Sequence, residues 1–181
     1  MKFRSWLCLL VAATPAGALD LSPQFGQREL EGFQIPILRF GDGGRKVSYR
    51  PPEKWRVSGT TAELNLIPPK RADCRAIFSV RPLASDAGEE LKKWARECLP
   101  GNAVEVESLG EKESPFMLGK LPSHEFIFAY QQNGIRFVRS VAIVDLSEKE
   151  RLSVAVVARR DDFEAVHAEI IASMFSWEWE D

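Results

Sequence analysis

The stretch from Glu125 to Ala158 narrows the choice of fold more than any other part of this chain. Three runs of strand-forming residues, Glu125 to Tyr130, Ile135 to Val144 and Leu152 to Ala158, follow one another. The first link holds Asn133-Gly134, a dipeptide that accepts the positive φ angles of a two-residue hairpin, and the second is Ser147-Glu148-Lys149-Glu150. These features predict an antiparallel meander. In the second run Ile135, Phe137, Val141 and Ile143 alternate with Val138, Ala142 and Val144; in the third, Leu152, Val154 and Val156 alternate with Ala155 and Val157. Both sides of these strands are partly apolar, so both need cover.

Two segments have the helical spacing to supply it. Phe163, Val166, His167, Ile170, Ile171 and Met174 fall on one side of a helix that opens with Asp161 and Glu164 as a capping pair. Asp86 caps another that runs to about Leu99, with Leu91, Trp94, Ala95 and Cys98 as its stripe and Pro100-Gly101 as its stop. The expectation is one helix on each face of the sheet.

The remaining segments read as strands and connections. Ile35 to Phe40 and Arg45 to Tyr49 flank Gly41-Asp42-Gly43-Gly44; no helix start follows those glycines, so they are hairpin chemistry rather than a phosphate cradle. Ala62 to Ile67 alternates as a half-buried strand ended by Pro68-Pro69, and Cys74 to Val80 places Cys74, Ala76, Phe78 and Val80 on one face. Val104 to Leu109 is a short extended segment before a turn region holding Pro115 and Pro122. Trp177 and Trp179 alternate with Glu178 and Glu180 in a closing stretch whose rings seal a core edge. Leu19 to Gly32 reads as an arm that drapes over the domain or stays mobile, with Phe25 and Phe33 docked on it.

The first eighteen residues form a separate unit. Lys2 and Arg4, the apolar stretch Trp6 to Ala13, and Ala16-Gly17-Ala18 have the order of a secretory signal peptide, with cleavage expected between Ala18 and Leu19. The apolar run is shorter than the ~20 residues that span a bilayer. Cys8 lies inside it, so it cannot be a lipidated first residue of the mature chain. The expected organisation is a signal peptide over 1–18, an arm and hairpin start over 19–44, and a single domain over 45–181. The product is expected to be exported, periplasmic or secreted, and soluble once cleaved, with no stable membrane anchor.

An exported chain sits in an oxidising space, where Cys74 and Cys98 could close a loop. Both project from core faces, but a helix rises ~1.5 Å per residue against ~3.3 Å for a strand, so Cys98 can fall level with Phe78 instead of Cys74. A disulfide and two buried free thiols both remain open. A net charge of −2 leaves no basic face for phosphate backbones, and nucleic acid is not expected as a partner.

Chemistry is sparse. His124 and His167 are the only histidines and lie on different elements, so neither metal spacing nor a metal cofactor is expected. No serine occupies a nucleophile elbow. Arg136 and Arg139, with Arg159 and Arg160 nearby, could gather into a patch for an acidic partner or disperse into ion pairs.

In its order of elements the chain resembles the PsbP-like family, which includes DcrB-like periplasmic proteins. The resemblance covers roughly 47–179. It rests on the lead-in Tyr49-Arg50-Pro51-Pro52-Glu53-Lys54-Trp55 and on the succession of Glu125 to Tyr130, Asn133-Gly134, two apolar strands, a helix opening near Phe163, and Phe175-Ser176. Lys54 departs from the glycine common at that point in relatives. The resemblance implies an α+β fold, an antiparallel sheet with helices on its faces in an α/β/α sandwich, with a binding or assembly role and no catalytic residue. The expected function is thus a non-enzymatic accessory protein without cofactor, holding a protein or an apolar small molecule; the alternative is a hydrolase using His124 or His167 beside a carboxylate.

Overall fold

The computed structural model describes residues 19–41, 46–82, 89–118 and 121–180. Its strands are β1 (Asp20–Leu30), β2 (Phe33–Gly41), β3 (Lys46–Tyr49), β4 (Arg56–Gly59), β5 (Glu63–Ile67), β6 (Arg75–Pro82), β7 (Val104–Leu118), β8 (Leu121–Gln132), β9 (Ile135–Asp145), β10 (Glu150–Arg159) and β11 (Glu178–Glu180). The helices are α1 (Glu89–Glu97) and α2 (Arg160–Met174).

The meander forms as expected and becomes the middle of a seven-stranded antiparallel sheet, ordered β4-β5-β6-β10-β9-β8-β7. Asn133 and Gly134 both take positive φ, 53° and 75°, which matches the turn to the right-handed twist of the strands it joins. A second, four-stranded sheet runs β1-β2-β3-β11.

The larger sheet has two unlike faces. Against one lie α2, through Phe163, Val166, Ile170 and Met174, and the smaller sheet, through Leu38, Phe40, Val47 and Tyr49; the space between holds Leu64, Leu66, Phe78, Val144, Leu152 and Val154. Trp177 closes this core, stacking on Phe40 with ring centroids 5.8 Å apart. Against the other face, among the described residues, lies α1, covering Phe126, Phe128, Val141, Ile143 and Ala155 through Leu91, Trp94 and Ala95. The two helices therefore take opposite faces.

Several expectations need correction. Among the described residues the fold is mostly antiparallel strand with two short helices and a curled sheet, more β-rich than an α/β/α sandwich. The arm is β1, paired with β2 through a Glu31-Gly32 turn whose residues both have positive φ, and its Leu19 and Leu21 are buried in the main core. Phe25 and Phe33 do not dock; they are 75% and 74% exposed. Pro115 lies inside β7 and Pro122 in β8, which together form one long hairpin. The ladder shifts register between Glu113 and Met117, and β7 is an edge strand, the setting in which a sheet tolerates a missing N–H. Asp161 makes no capping hydrogen bond, because α2 begins at Arg160 and takes Arg159 as its N-cap. The signal peptide, Asp86 and most of the Gly41–Gly44 turn lie outside the described residues. Among the described residues no helix is long and apolar enough to cross a membrane.

Candidate functional site

The histidines separate. His124 is exposed on β8, opposite Glu113 of β7 and Ile143 of β9. His167, on the inward stripe of α2, stands with Nε2 2.5 Å from Oε1 of Glu125. Glu125 shares its side of β8 with Ile127 and Ala129, facing α2; its side chain is fully buried, and that of His167 is 11% exposed. Phe163 stacks on the imidazole at 5.1 Å.

A carboxylate beside an imidazole is acid/base equipment only when a substrate can reach it. This pair is sealed between helix and sheet, and its chemistry is that of a clamp joining α2 to β8. Sequence reasoning missed Glu125 as the partner of His167. The available signal was an acid in the alternating apolar set of a core strand.

The cysteines also separate. Cys74 lies in the core on the α2 side, Cys98 packs at the margin of the cluster under α1, and both are free thiols. A disulfide would have to pass through the sheet. The spacing in the sequence carries no sign of this difference of face. Burial pushes both thiols above their ordinary range, so both are weakly nucleophilic at neutral pH. Among the described residues, no group of three or more His, Cys, Asp or Glu is placed to hold a metal ion.

Two adjoining grooves mark the surface around the β1–β2 hairpin. The first, about 220 Å³, is lined by Phe25, Pro36, Pro51, Pro52, Trp55 and Val57 among others. Trp55 is fixed there by its indole N–H, which donates to Glu169 of α2 at 2.8 Å. The second, about 550 Å³, is lined by Lys54, Arg56, Pro68, Pro69, Lys70 and Arg71. Lys54 borders both. It has φ 66°, a left-handed conformation that glycine meets without strain. The grooves form one apolar surface flanked by cations.

The arginines of the meander do not gather. Arg136 pairs with Glu107 at 3.8 Å and Arg159 with Asp73, leaving Arg139 buried on the α1 face.

The fold and its surfaces define a β-rich α+β protein with two surface grooves described, and known structures share its architecture. The chain superposes on LpqN of Mycobacterium tuberculosis, a protein involved in cell envelope biogenesis, with a TM-score of 0.55 at 13% identity, covering 88% of this chain and 92% of that one. Also matched are PA94 of Pseudomonas aeruginosa, a protein of unknown function, at TM-score 0.46 and 10% identity over 83% and 93% of the two chains, and the cyanobacterial PsbP of Synechocystis, at 0.44 and 9% over 92% and 95%. The likeness to LpqN is one of fold. No protein-family model matches the chain, and no curated protein matches it in sequence.

Proposed function

We propose that this is an exported, non-enzymatic accessory protein of the cell envelope, which docks a partner protein on the surface between the β1–β2 hairpin and the Pro51-Pro52-Trp55 segment. The observation that carries this reading is the hairpin itself. The hairpin leaves Phe25 in water at the rim of an apolar groove and Phe33 in water at its tip, on the opposite face, and large apolar side chains exposed beside such a groove belong to interfaces. Lys54, Arg56, Lys70 and Arg71 alongside select a partner segment that carries acidic as well as apolar side chains. The signal-peptide pattern of residues 1–18 supports export, and LpqN, which shares the fold, works in envelope biogenesis. The enclosure of the Glu125–His167 pair speaks against the hydrolase alternative.

Two measurements test the reading. The intact mass of the protein from an envelope fraction should match a chain beginning at Leu19. Crosslinking in the same fraction should recover one specific partner with the wild type and lose it with the Phe25→Ser/Phe33→Ser double variant, whose Tm should stay unchanged because both rings are exposed. Equal recovery by both proteins would refute docking on the hairpin.

A further inference from the structure

A guanidinium taken out of water is costly unless a carboxylate or a set of acceptors meets it. Strand alternation places Arg75, Arg81, Arg139, Arg151 and Arg159 on the α1 side of the larger sheet. Arg151 is bound to Asp145 at 2.5 Å, and it and Arg81 both lie over the Trp94 ring, 5.8 and 5.5 Å from its centroid. Arg159 is paired with Asp73. Arg139 has no comparable partner.

Only 8% of Arg139 is exposed, and its Nε is buried with nothing to donate to. Among the described residues the side chain makes no hydrogen bond or ion pair. Arg75 of β6, Val157 of β10, Phe128 and Tyr130 of β8, and Cys98 beyond α1 face it, and none is an acid. Glu63 acts on it only through its field, from beyond ion-pair distance. Burial and the repulsion of Arg75 both oppose its charge. Buried polar groups in native proteins have partners, so an arginine held this way calls for one from outside.

The register shows where that partner fits. Arg75, Val157 and Arg139 occupy one row across β6, β10 and β9. Strand spacing separates the two arginine Cα atoms by about 10 Å, with side chains on the same side and a short, neutral residue between them. We propose that this row binds an oxyanion, the phosphate or carboxylate group of a small molecule, clamped between Arg139 and Arg75 over Val157 and beside Cys98. Guanidinium forks bind such groups through parallel charge-assisted hydrogen bonds. Arg139 is preorganised by burial and supplies the buried contact, while the exposed Arg75 closes the site from the solvent side. The inference is independent of what occupies the hairpin grooves.

Cys98 reports on the site, and Cys74, across the sheet, is its internal control. Inorganic phosphate, compared with sodium chloride at equal ionic strength, should slow alkylation of Cys98 and leave Cys74 unchanged. A phosphate concentration a hundredfold above Kd should raise Tm by about 5–10 °C. Arg139→Met should abolish both effects, with a Tm in chloride equal to or above that of the wild type, because it removes an unpaired buried charge. Arg75→Met, at an exposed position, should keep the fold and weaken phosphate binding. Acetate in place of phosphate shows which oxyanion is preferred, and Arg139-dependent sedimentation with phosphatidylglycerol vesicles would assign the site to a lipid headgroup instead of a free anion. Equal phosphate responses in the wild type and Arg139→Met, or none in the wild type, would overturn the proposal.

Discussion

The two faces of the seven-stranded sheet meet the same problem, covering apolar strands, with different means. On one face a fifteen-residue helix and a second sheet enclose a continuous core, and its buried acid, Glu125, is met by His167 within hydrogen-bond distance. On the other, a nine-residue helix covers only the middle, and the strands beneath it carry arginines. The first face is built for stability, and its buried polar atoms without a partner, the second oxygen of Glu125, the Ser140 hydroxyl and the Trp177 indole N–H, belong to a carboxyl group or to neutral groups. The second gives up burial and retains a charge the fold does not satisfy. Where cover is incomplete, room for recognition remains.

Substitutions on each face should bring out this contrast. The largest loss belongs to His167→Ala, which strands Glu125 inside the α2-side core; breaking a buried pair costs about 3–5 kcal/mol, read from chemical denaturation. Arg139→Met on the opposite face should fail to destabilise at all, and a comparable loss there would erase the distinction. Next is Trp94→Leu, which removes the ring beneath Arg81 and Arg151 and should cost about 1–2 kcal/mol, at roughly 0.5–1 for each cation.

Tyr49→Phe should cost about 1 kcal/mol, the worth of the 2.7 Å hydrogen bond with Ser173. It has a second signature. Burial pushes the Tyr49 phenol well above its ordinary value, so above pH ~10 the unfolded chain releases a proton that the folded one keeps. The unfolded state then binds fewer protons, and stability falls as pH rises. Tyr49→Phe should flatten that alkaline decline, measured as Tm against pH. The smallest effect is expected from Asp73→Ala, which frees Arg159 at a half-exposed position and should cost under ~1 kcal/mol, vanishing in high salt.

The sequence made the meander and the stripes of both helices legible because each follows from residues close together in the chain. Alternation in Ala62 to Ile67 and Cys74 to Val80 was legible for the same reason, and β5 and β6 keep the expected faces. What stayed hidden depends on distant pairings. The Leu19 to Gly32 segment has little periodicity of its own, and it is a strand because β2 and the core receive Leu19 and Leu21. Pro115 and Pro122 suggest a turn locally, but Pro115 lies on the edge strand β7 and Pro122 at the start of β8, before its ladder with β9 begins at Ser123, so their lost donors cost little. Arg139 could have joined a patch or an ion pair; Arg136, Arg151 and Arg159 found acids, and only the register across β6, β10 and β9 places Arg139 in one row with Arg75.

The small sheet has a consequence for how the molecule comes into being. Its inner strand β3 pairs with β11, the Tyr49 hydroxyl meets Ser173 across 124 positions, and the Arg50 N–H donates to Ser176 across 126. Contacts this remote in sequence form late and slowly. A chain emerging from the ribosome cannot close its main core until Trp177 and β11 have been made, so the order of the strands keeps the larger sheet open on that side while the rest is synthesised.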